Sequence, residues 1–273
     1  MTSNDKQGML LGKHTPVVEV YAPELLYPID RSTTRDSLGS MPAMYGADLW
    51  HAYELSWLDA SGKPVVRVGR FVIPAASPCM VESKSFKLYL NSLNSHSFDS
   101  EEQAVATITA DISAATGAPV QLQLYGANDA QLAGAQLAGQ CLDALPLSLG
   151  GDLQPDAQLL GQQAAAMVEE QLYSHLLRSL CPVTGQPDWA TIWLHYRGLA
   201  LDHVALLHYL VAFRRHQDFH EHCVERMFTD LRSRFEFEFL HIQAFYTRRG
   251  GLDINPFRST DPAAKPLPRL NRQ

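Results

Sequence analysis

Cys181 and Asp188 bracket the string CPVTGQPD, and these residue types in that order can do nucleophilic chemistry. A cysteine before proline is biased toward extended backbone, and Gly185 with Pro187 shapes a loop able to return the carboxyl to the thiol. A thiol of ordinary pKa, about 8.5, becomes a useful nucleophile when positive charge or a proton acceptor stands beside it. Asp188 could take that proton and later return it as a general acid. The competing reading of any cysteine is a small buried hydrophobe, and Cys79, Cys141 and Cys223 are read that way.

A second set of residues lies in VESKSFKLYLNS, from Val81 to Ser92. Phe86, Leu90 and Leu93 share one helical face with Tyr89, while Lys84, Lys87 and Asn91 lie on another. A helix start near Glu82 leaves its first backbone N–H groups beside Ser83 and Lys84, a place where an anion such as phosphate can dock. The plainer alternative is a solvated lysine face with Glu82 complementing the helix dipole. His220 and Glu221 follow Phe219 at the start of another helical run. A carboxylate beside an imidazole there suits a polar heterocycle, and an ordinary helix cap is the alternative. The same run contains His216, Asp218 and His222 but no HExxH spacing, so no metal is expected. In YTRRGGLDINPFRS, Arg248 and Arg249 precede Gly250 and Gly251, a pattern that could pair guanidinium with phosphate while the backbone comes close.

These residues sit on elements that occur twice. WHAYELSWL and VVRVGRFVI read as strands around the turn DASGKP, followed by the helix from Glu82. From Val168 the order returns: VEEQLYSHLLRSL as one long strand, CPVTGQPD as a connection, WATIWLHYRG as a strand and LDHVALLHYLVAFRRH as a helix. Each half continues with a further helix, SEEQAVATITADI or HEHCVERMFTDLRSRF. Each ends in an alternating strand, PVQLQLYG or FEFEFLHIQAFY. Tyr89-Leu90 of the first copy matches Tyr209-Leu210 of the second. The reading is a repeated β-β-α-α-β unit, with an N-terminal module over 1–130, an Ala/Gln-rich connector over 131–167 and a C-terminal module over 168–273. The copies differ where chemistry would be placed, and a site assembled from both halves would explain the difference.

Composition narrows the function class. With 273 residues and 46% hydrophobic content the chain can bury a substantial core. A net charge of −7 argues against a general binder of nucleic-acid backbones. The start, MTSNDKQGMLLGKH, lacks the features of a signal peptide, and no later stretch approaches about 18 apolar residues in a row. A soluble cytoplasmic protein with reduced thiols is expected, since the four cysteines show no CxxC pair.

Taken together, ESKSFKLY, CPVTGQPD, FHE at Phe219–Glu221 and RRGGLDINP at Arg248–Pro256 resemble the long, two-module form of the NADPH-dependent 7-cyano-7-deazaguanine reductases. LGKHTPVVEVYAPELLYPIDR near the N-terminus resembles that form too. The resemblance implies an α+β fold of tandem tunnelling-fold modules, each an antiparallel sheet with two helices on one face. That superfamily also contains GTP cyclohydrolase, so fold alone does not decide function. It further implies that Cys181 attacks the nitrile carbon to form a covalent thioimide and that Asp188 is the proton donor. Val81, Glu82, Ser83, His220 and Glu221 would bind the deazaguanine, and Ser83, Lys84, Arg249 and Gly250 would bind NADPH. Two NADPH molecules would deliver hydride in succession, giving the aminomethyl precursor of queuosine in tRNA, and the long form would be a homodimer. No GxGxxG follows a strand, so NADPH would bind without a Rossmann domain.

Two rival functions stand beside this one. A thiol-dependent nitrile or amide hydrolase would use Cys181 but neither Lys84 nor Arg249. A non-catalytic purine- or pterin-binding protein would use Glu82 and Glu221 for recognition and would not need Cys181.

Overall fold

The computed structural model describes residues 18, 20–148, 150, 154–162 and 164–273. The expectation of no leader at MTSNDKQGMLLGKH lies outside the described residues. The chain divides into two compact units. The first contains the described residues up to Ser37, then Asp48–Ala133 and Arg248–Ile254. The second contains Leu38–Ala47, the described residues from Gly134 to Thr247, and Asn255–Gln273.

In the first unit β1 (Pro28–Asp30) and a short helix α1 (Ser32–Arg35) precede a long hairpin of β2 (Tyr45–Leu58) and β3 (Pro64–Pro74). Its turn is tied by Asp59, whose carboxylate accepts from the N–H groups of Ser61 at 2.9 Å and Lys63 at 3.0 Å. Gly62 there has φ +81°, a conformation for which glycine carries no Cβ penalty. β4 (Cys79–Val81) pairs antiparallel with β1 and leads into α2 (Ser83–Ser92) and α3 (Glu101–Thr116); β5 (Gln121–Tyr125) then pairs antiparallel with β3. Helix α2 buries Phe86, Tyr89 and Leu90, as its spacing predicts, against Trp50, Phe71 and Ile108. The Phe86 ring meets Trp50 and Phe71 edge-on, each at 5.1 Å between centroids. Ser100 caps α3, and Gly117 at φ 72° ends it.

The second unit has β6 (Gln140–Cys141), β7 (Met167–Ser174), β8 (Arg178–Leu180) and β9 (Pro187–Leu199), then α4 (His203–Ala212), α5 (His220–Arg234) and β10 (Phe237–Tyr246). β11 (Leu252–Ser259) follows, its last five residues belonging to this unit. β9 is antiparallel to β10, β7 and β8, and β10 is antiparallel to β11. The β6–β7 pair is parallel. Leu206, Leu207, Tyr209, Leu210, Val224, Met227 and Phe228 of the two helices pack on Ile192, Leu194, Leu240 and Ile242 of the sheet. The fold is therefore mixed α+β, with mainly antiparallel sheets and few helices. Among the described residues, no helix is long and apolar enough to cross a membrane.

The repeat has a buried counterpart in each unit. Tyr89 of α2 donates its hydroxyl to Asp111 of α3 at 2.6 Å, and Tyr209 of α4 donates to Asp230 of α5 at 2.6 Å. Both tyrosines are fully buried. Each pair ties the two helices of its unit together with one charge-assisted hydrogen bond.

Three elements differ from the sequence reading. VEEQLYSHLLRSL is two strands, because Asp143 accepts from Ser174 Oγ at 2.7 Å and from the His175 N–H at 3.1 Å, turning the chain between β7 and β8. The segment read as a connector supplies β6 and a 3-10 turn at Ala157–Leu160, and Leu142 and Leu160 enter the second unit's core because their side chains are apolar. LDINPFRS, read as part of a ligand-binding string, is the buried strand β11; its alternation runs only from Leu252 to Asn255, and Pro256 breaks it.

Candidate active site

Cys181 follows β8 and Asp188 is the second residue of β9, so the string CPVTGQPD is the turn of a β-hairpin in which Leu180 pairs Pro187 and Ser179 pairs Asp188. The Cys181 N–H donates to the Gln186 carbonyl and the Gly185 N–H to the Cys181 carbonyl, both at 2.9 Å. Gly185 takes φ +68° to close the turn. The thiol is buried, and the Thr184 N–H points at its sulfur at 3.5 Å. The loop thus fixes the direction of the sulfur and places Cys181 and Asp188 in the same hairpin.

Asp188 is 5% exposed, and its Oδ2 lies 3.3 Å from Nε2 of His220, the first residue of α5. The His220 ring stacks flat on Tyr246 of β10, 3.7 Å between centroids at 7°. Its Nδ1 is buried with no hydrogen-bond partner among the described residues. Stacking fixes the ring plane, and the carboxylate contact fixes which nitrogen faces Asp188. Glu221 is buried in the first turn of α5, where the helix dipole favours an anion.

Asp218, which sequence reasoning passed over, holds this region together. Its carboxylate accepts from His222 Nδ1 and lies 3.3 Å from His216 Nε2. Burial alone would raise its pKa, but hydrogen bonds from the two imidazoles outweigh burial and hold it at about 2. The flanking backbone grips the residue before Cys181: the Leu180 N–H donates to His216 O at 2.8 Å and the Asp218 N–H to Leu180 O at 3.1 Å. The dense His/Asp run is here an anchor for the start of the Cys181 turn. Its signal in the sequence was two imidazoles flanking one aspartate at i−2 and i+4.

The other expected residues lie in the first unit. Val81 is buried at the end of β4, and Glu82 caps α2. Both Glu82 oxygens are used, accepting from the N–H groups of Lys84 at 2.8 Å and Ser85 at 2.7 Å. The acid therefore takes two of the backbone N–H groups at the helix start that the sequence analysis offered to phosphate. Glu82 is only 1% exposed, and burial raises its carboxyl pKa against the lowering effect of those N–H donors. Each oxygen has further lone-pair capacity, so the carboxyl can still accept from a ligand's N–H groups. Ser83 and Lys84 follow in the first turn, both half-buried, and the Lys84 ammonium makes no hydrogen bond or ion pair with a described residue.

Arg249 and Leu252 close a two-residue turn, with Arg249 N–H to Leu252 O at 2.8 Å and the reverse bond at 3.1 Å. Gly250 and Gly251 sit at φ 59° and 81°, as a hairpin turn of this kind requires. A Cβ on Gly250 would lie 3.3 Å from Lys87 Cδ, and one on Gly251 only 2.5 Å from Glu54 Cδ. Part of the close approach that the glycines permit is thus to side chains of the same unit. Cys223 is fully buried as expected, with its thiol pushed up by burial, whereas Cys79 and Cys141 are half-buried.

Comparison with known proteins decides what this arrangement belongs to. Residues 17–124 match a family model described as nitrile reductase, 7-cyano-7-deazaguanine-reductase N-term, and residues 187–265 match one described as QueF-like protein. The chain is 52% identical over 260 residues to an NADPH-dependent 7-cyano-7-deazaguanine reductase of Dechloromonas aromatica (strain RCB), covering 94% of this chain and 92% of that one. The chain belongs to the NADPH-dependent 7-cyano-7-deazaguanine reductase family.

Among solved structures, an archaeosine synthase QueF-Like in the apo form aligns at 12% identity over 38% of this chain and 100% of its own, with a TM-score of 0.31, too loose a match to carry an argument. Within the reductase family frame, Val81, Glu82, Ser83 and Lys84 fall in the first matched segment, and Asp188, His220, Glu221, Arg249 and Gly250 in the second. A phosphorylated cofactor fits what the first unit offers: the Lys84 ammonium in the first turn of α2 is a point charge suited to a phosphate oxygen.

Proposed function

We propose that this chain reduces the nitrile of 7-cyano-7-deazaguanine to the aminomethyl group at the expense of NADPH, in the biosynthesis of queuosine for tRNA. The observation that carries the reading is the Cys181 hairpin whose Asp188 lies 3.3 Å from His220. It sets a thiol and a carboxyl in one hairpin, with an imidazole beside the carboxyl, the ingredients for adding a thiol across a carbon–nitrogen triple bond.

In this reading the Cys181 sulfur bonds to the nitrile carbon while the thiol proton passes, through Asp188, to the nitrile nitrogen, giving a covalent thioimide. The nitrile itself is a weak electrophile, and its capture on Cys181 creates a C=N bond that accepts hydride. NADPH, when bound, supplies two hydrides in succession. After the first, the C–S bond breaks and the thiolate recovers a proton; after the second, the nitrogen takes up its last proton, for which the Asp188–His220 contact is the route. Glu82 and Glu221 accept from the N–H edge of the deazaguanine, with Val81, Ser83 and His220 around it. Ser83, Lys84, Arg249 and Gly250 serve NADPH, Lys84 and Arg249 through its phosphates.

The two units are tandem tunnelling-fold modules in this proposal. The support is the repeated order of hairpin, two helices and strand, and the Tyr89–Asp111 and Tyr209–Asp230 bonds at matching places. A homodimer in the cytoplasm, without direct contact to nucleic acid, completes the reading. The test is stoichiometry: NADPH consumed per nitrile converted by the purified chain. Two per nitrile is expected. Nitrile loss without NADPH oxidation would instead indicate a hydrolase.

A further inference from the structure

Neither the 32-residue separation of Asp143 and His175 nor any CxxC spacing marks a metal site, yet the fold brings three different ligand types together in the second unit. Cys141, Asp143 and His175 each offer an atom, and these atoms all lie within 4.8 Å of one another. The placement follows from the parallel β6–β7 pair, in which Cys141 sits opposite Tyr173, and from the turn after β7 that Asp143 ties to His175.

We propose that Cys141, Asp143 and His175 bind a divalent transition metal of borderline softness, with zinc as the best fit. His175 and Asp143 are each held by further partners. His175 Nδ1 bonds Thr191 Oγ1 at 2.8 Å, and donation through that nitrogen leaves Nε2 with its lone pair outward. The imidazole is further fixed edge-on against Tyr173, 5.4 Å between centroids, and its backbone carbonyl accepts from Arg272 at 2.7 Å. Asp143 Oδ1 takes the Ser174 hydroxyl at 2.7 Å, while Oδ2 has only a long 3.2 Å contact with the His175 N–H and keeps lone pairs for a metal. Bond lengths of about 2.0–2.3 Å to zinc place ligand atoms about 3.5 Å apart, so small side-chain rotations within the 4.8 Å group complete the site. Magnesium and calcium, which take oxygen ligands, do not suit a thiolate and an imidazole.

Three protein ligands leave a tetrahedral position open. His175 also lines a cavity of about 400 Å³ with Tyr173, Thr191, Asn271 and Arg272, which gives the metal an entry path and water a place to complete its shell. On binding, the Cys141 S–H bond breaks, the proton goes to solvent and the sulfur bonds to the metal; no electrons are transferred. The site is separate from Cys181 and does not depend on the proposed reduction. Its direct effect is to bolt β6 and the loop after it to the turn after β7.

The experiment is equilibrium dialysis of the full chain, carrying Cys181→Ala to remove the reactive thiol, against zinc chloride, with retained zinc measured by atomic emission. Equimolar zinc is expected, with its loss when Cys141→Ser or His175→Ala is added and its retention when Cys79→Ser is added. Cobalt(II) in place of zinc should give a thiolate-to-cobalt charge-transfer band that Cys141→Ser abolishes, and zinc should raise the melting temperature only of chains that keep Cys141. No zinc retained by the Cys181→Ala chain, or full retention with Cys141→Ser, would overturn the proposal.

Discussion

Asp218→Asn is nearly isosteric and removes only the charge around which His216 and His222 gather. A carboxyl held at about 2 rather than at its ordinary 3.8 stabilises the folded state by about 2 kcal/mol once it is ionised. Its side chain is 15% exposed, so solvent screening takes little from that figure. Because the folded-state pKa lies below the unfolded one, the contribution is fully present above about pH 4 and is lost as pH falls through about 2. Urea midpoints followed by circular dichroism from about pH 7 down to pH 3 give the comparison. The variant should be less stable by about 2 kcal/mol at neutral pH, and the gap to wild type should begin to close below about pH 4. Equal midpoints at neutral pH, or a gap that stays constant into acid, would refute the assignment of Asp218 as an ionised anchor.

Tyr209→Phe should cost about 2 kcal/mol in urea unfolding, since Asp230 then keeps only Arg226 at 3.7 Å; Tyr89→Phe should cost nearer 1, because Asp111 retains the Tyr21 hydroxyl at 2.6 Å. Equal losses would contradict that difference. Glu82→Ala strips the cap from two N–H groups of α2 and should lower stability by about 1–2 kcal/mol in the same assay, with weaker binding of the deazaguanine by calorimetry. Asp188→Asn should slow NADPH oxidation by about 100- to 10,000-fold while the circular dichroism spectrum is unchanged, and a loss below about tenfold would remove it from the proton path.

Local signals made much of this molecule readable before its structure. The Phe86/Tyr89/Leu90 spacing, the capping acid at Glu82 and the Gly/Pro turn between Cys181 and Asp188 all act over a few residues, and each forms where its pattern placed it. What stayed hidden depends on partners far apart in the chain. The contact of Asp188 with His220 crosses from β9 to α5, and the stacking of His220 on Tyr246 crosses to β10. β11 was hard to read because its alternation stops at Pro256 and because Asp253, Asn255 and Arg258, polar residues that suggest a surface, are buried in it. The two glycines after Arg249 were ambiguous for a physical reason: positive φ and close approach are demanded equally by a tight turn and by a bound ligand, and the sequence does not show that Lys87 and Glu54 lie beside them. Glu82 was read as both cap and reader of a base, and its cap bonds leave lone pairs for the second role.

The central claim is that Cys181 bonds covalently to the nitrile, and intact-mass spectrometry of the chain mixed with 7-cyano-7-deazaguanine in the absence of NADPH tests it directly. A mass increase equal to the whole substrate is expected on the wild-type chain, reversed when NADPH is added and absent from Cys181→Ala. An adduct that persists on Cys181→Ala, or a wild-type chain that turns over NADPH under conditions where no adduct can be trapped, would contradict it.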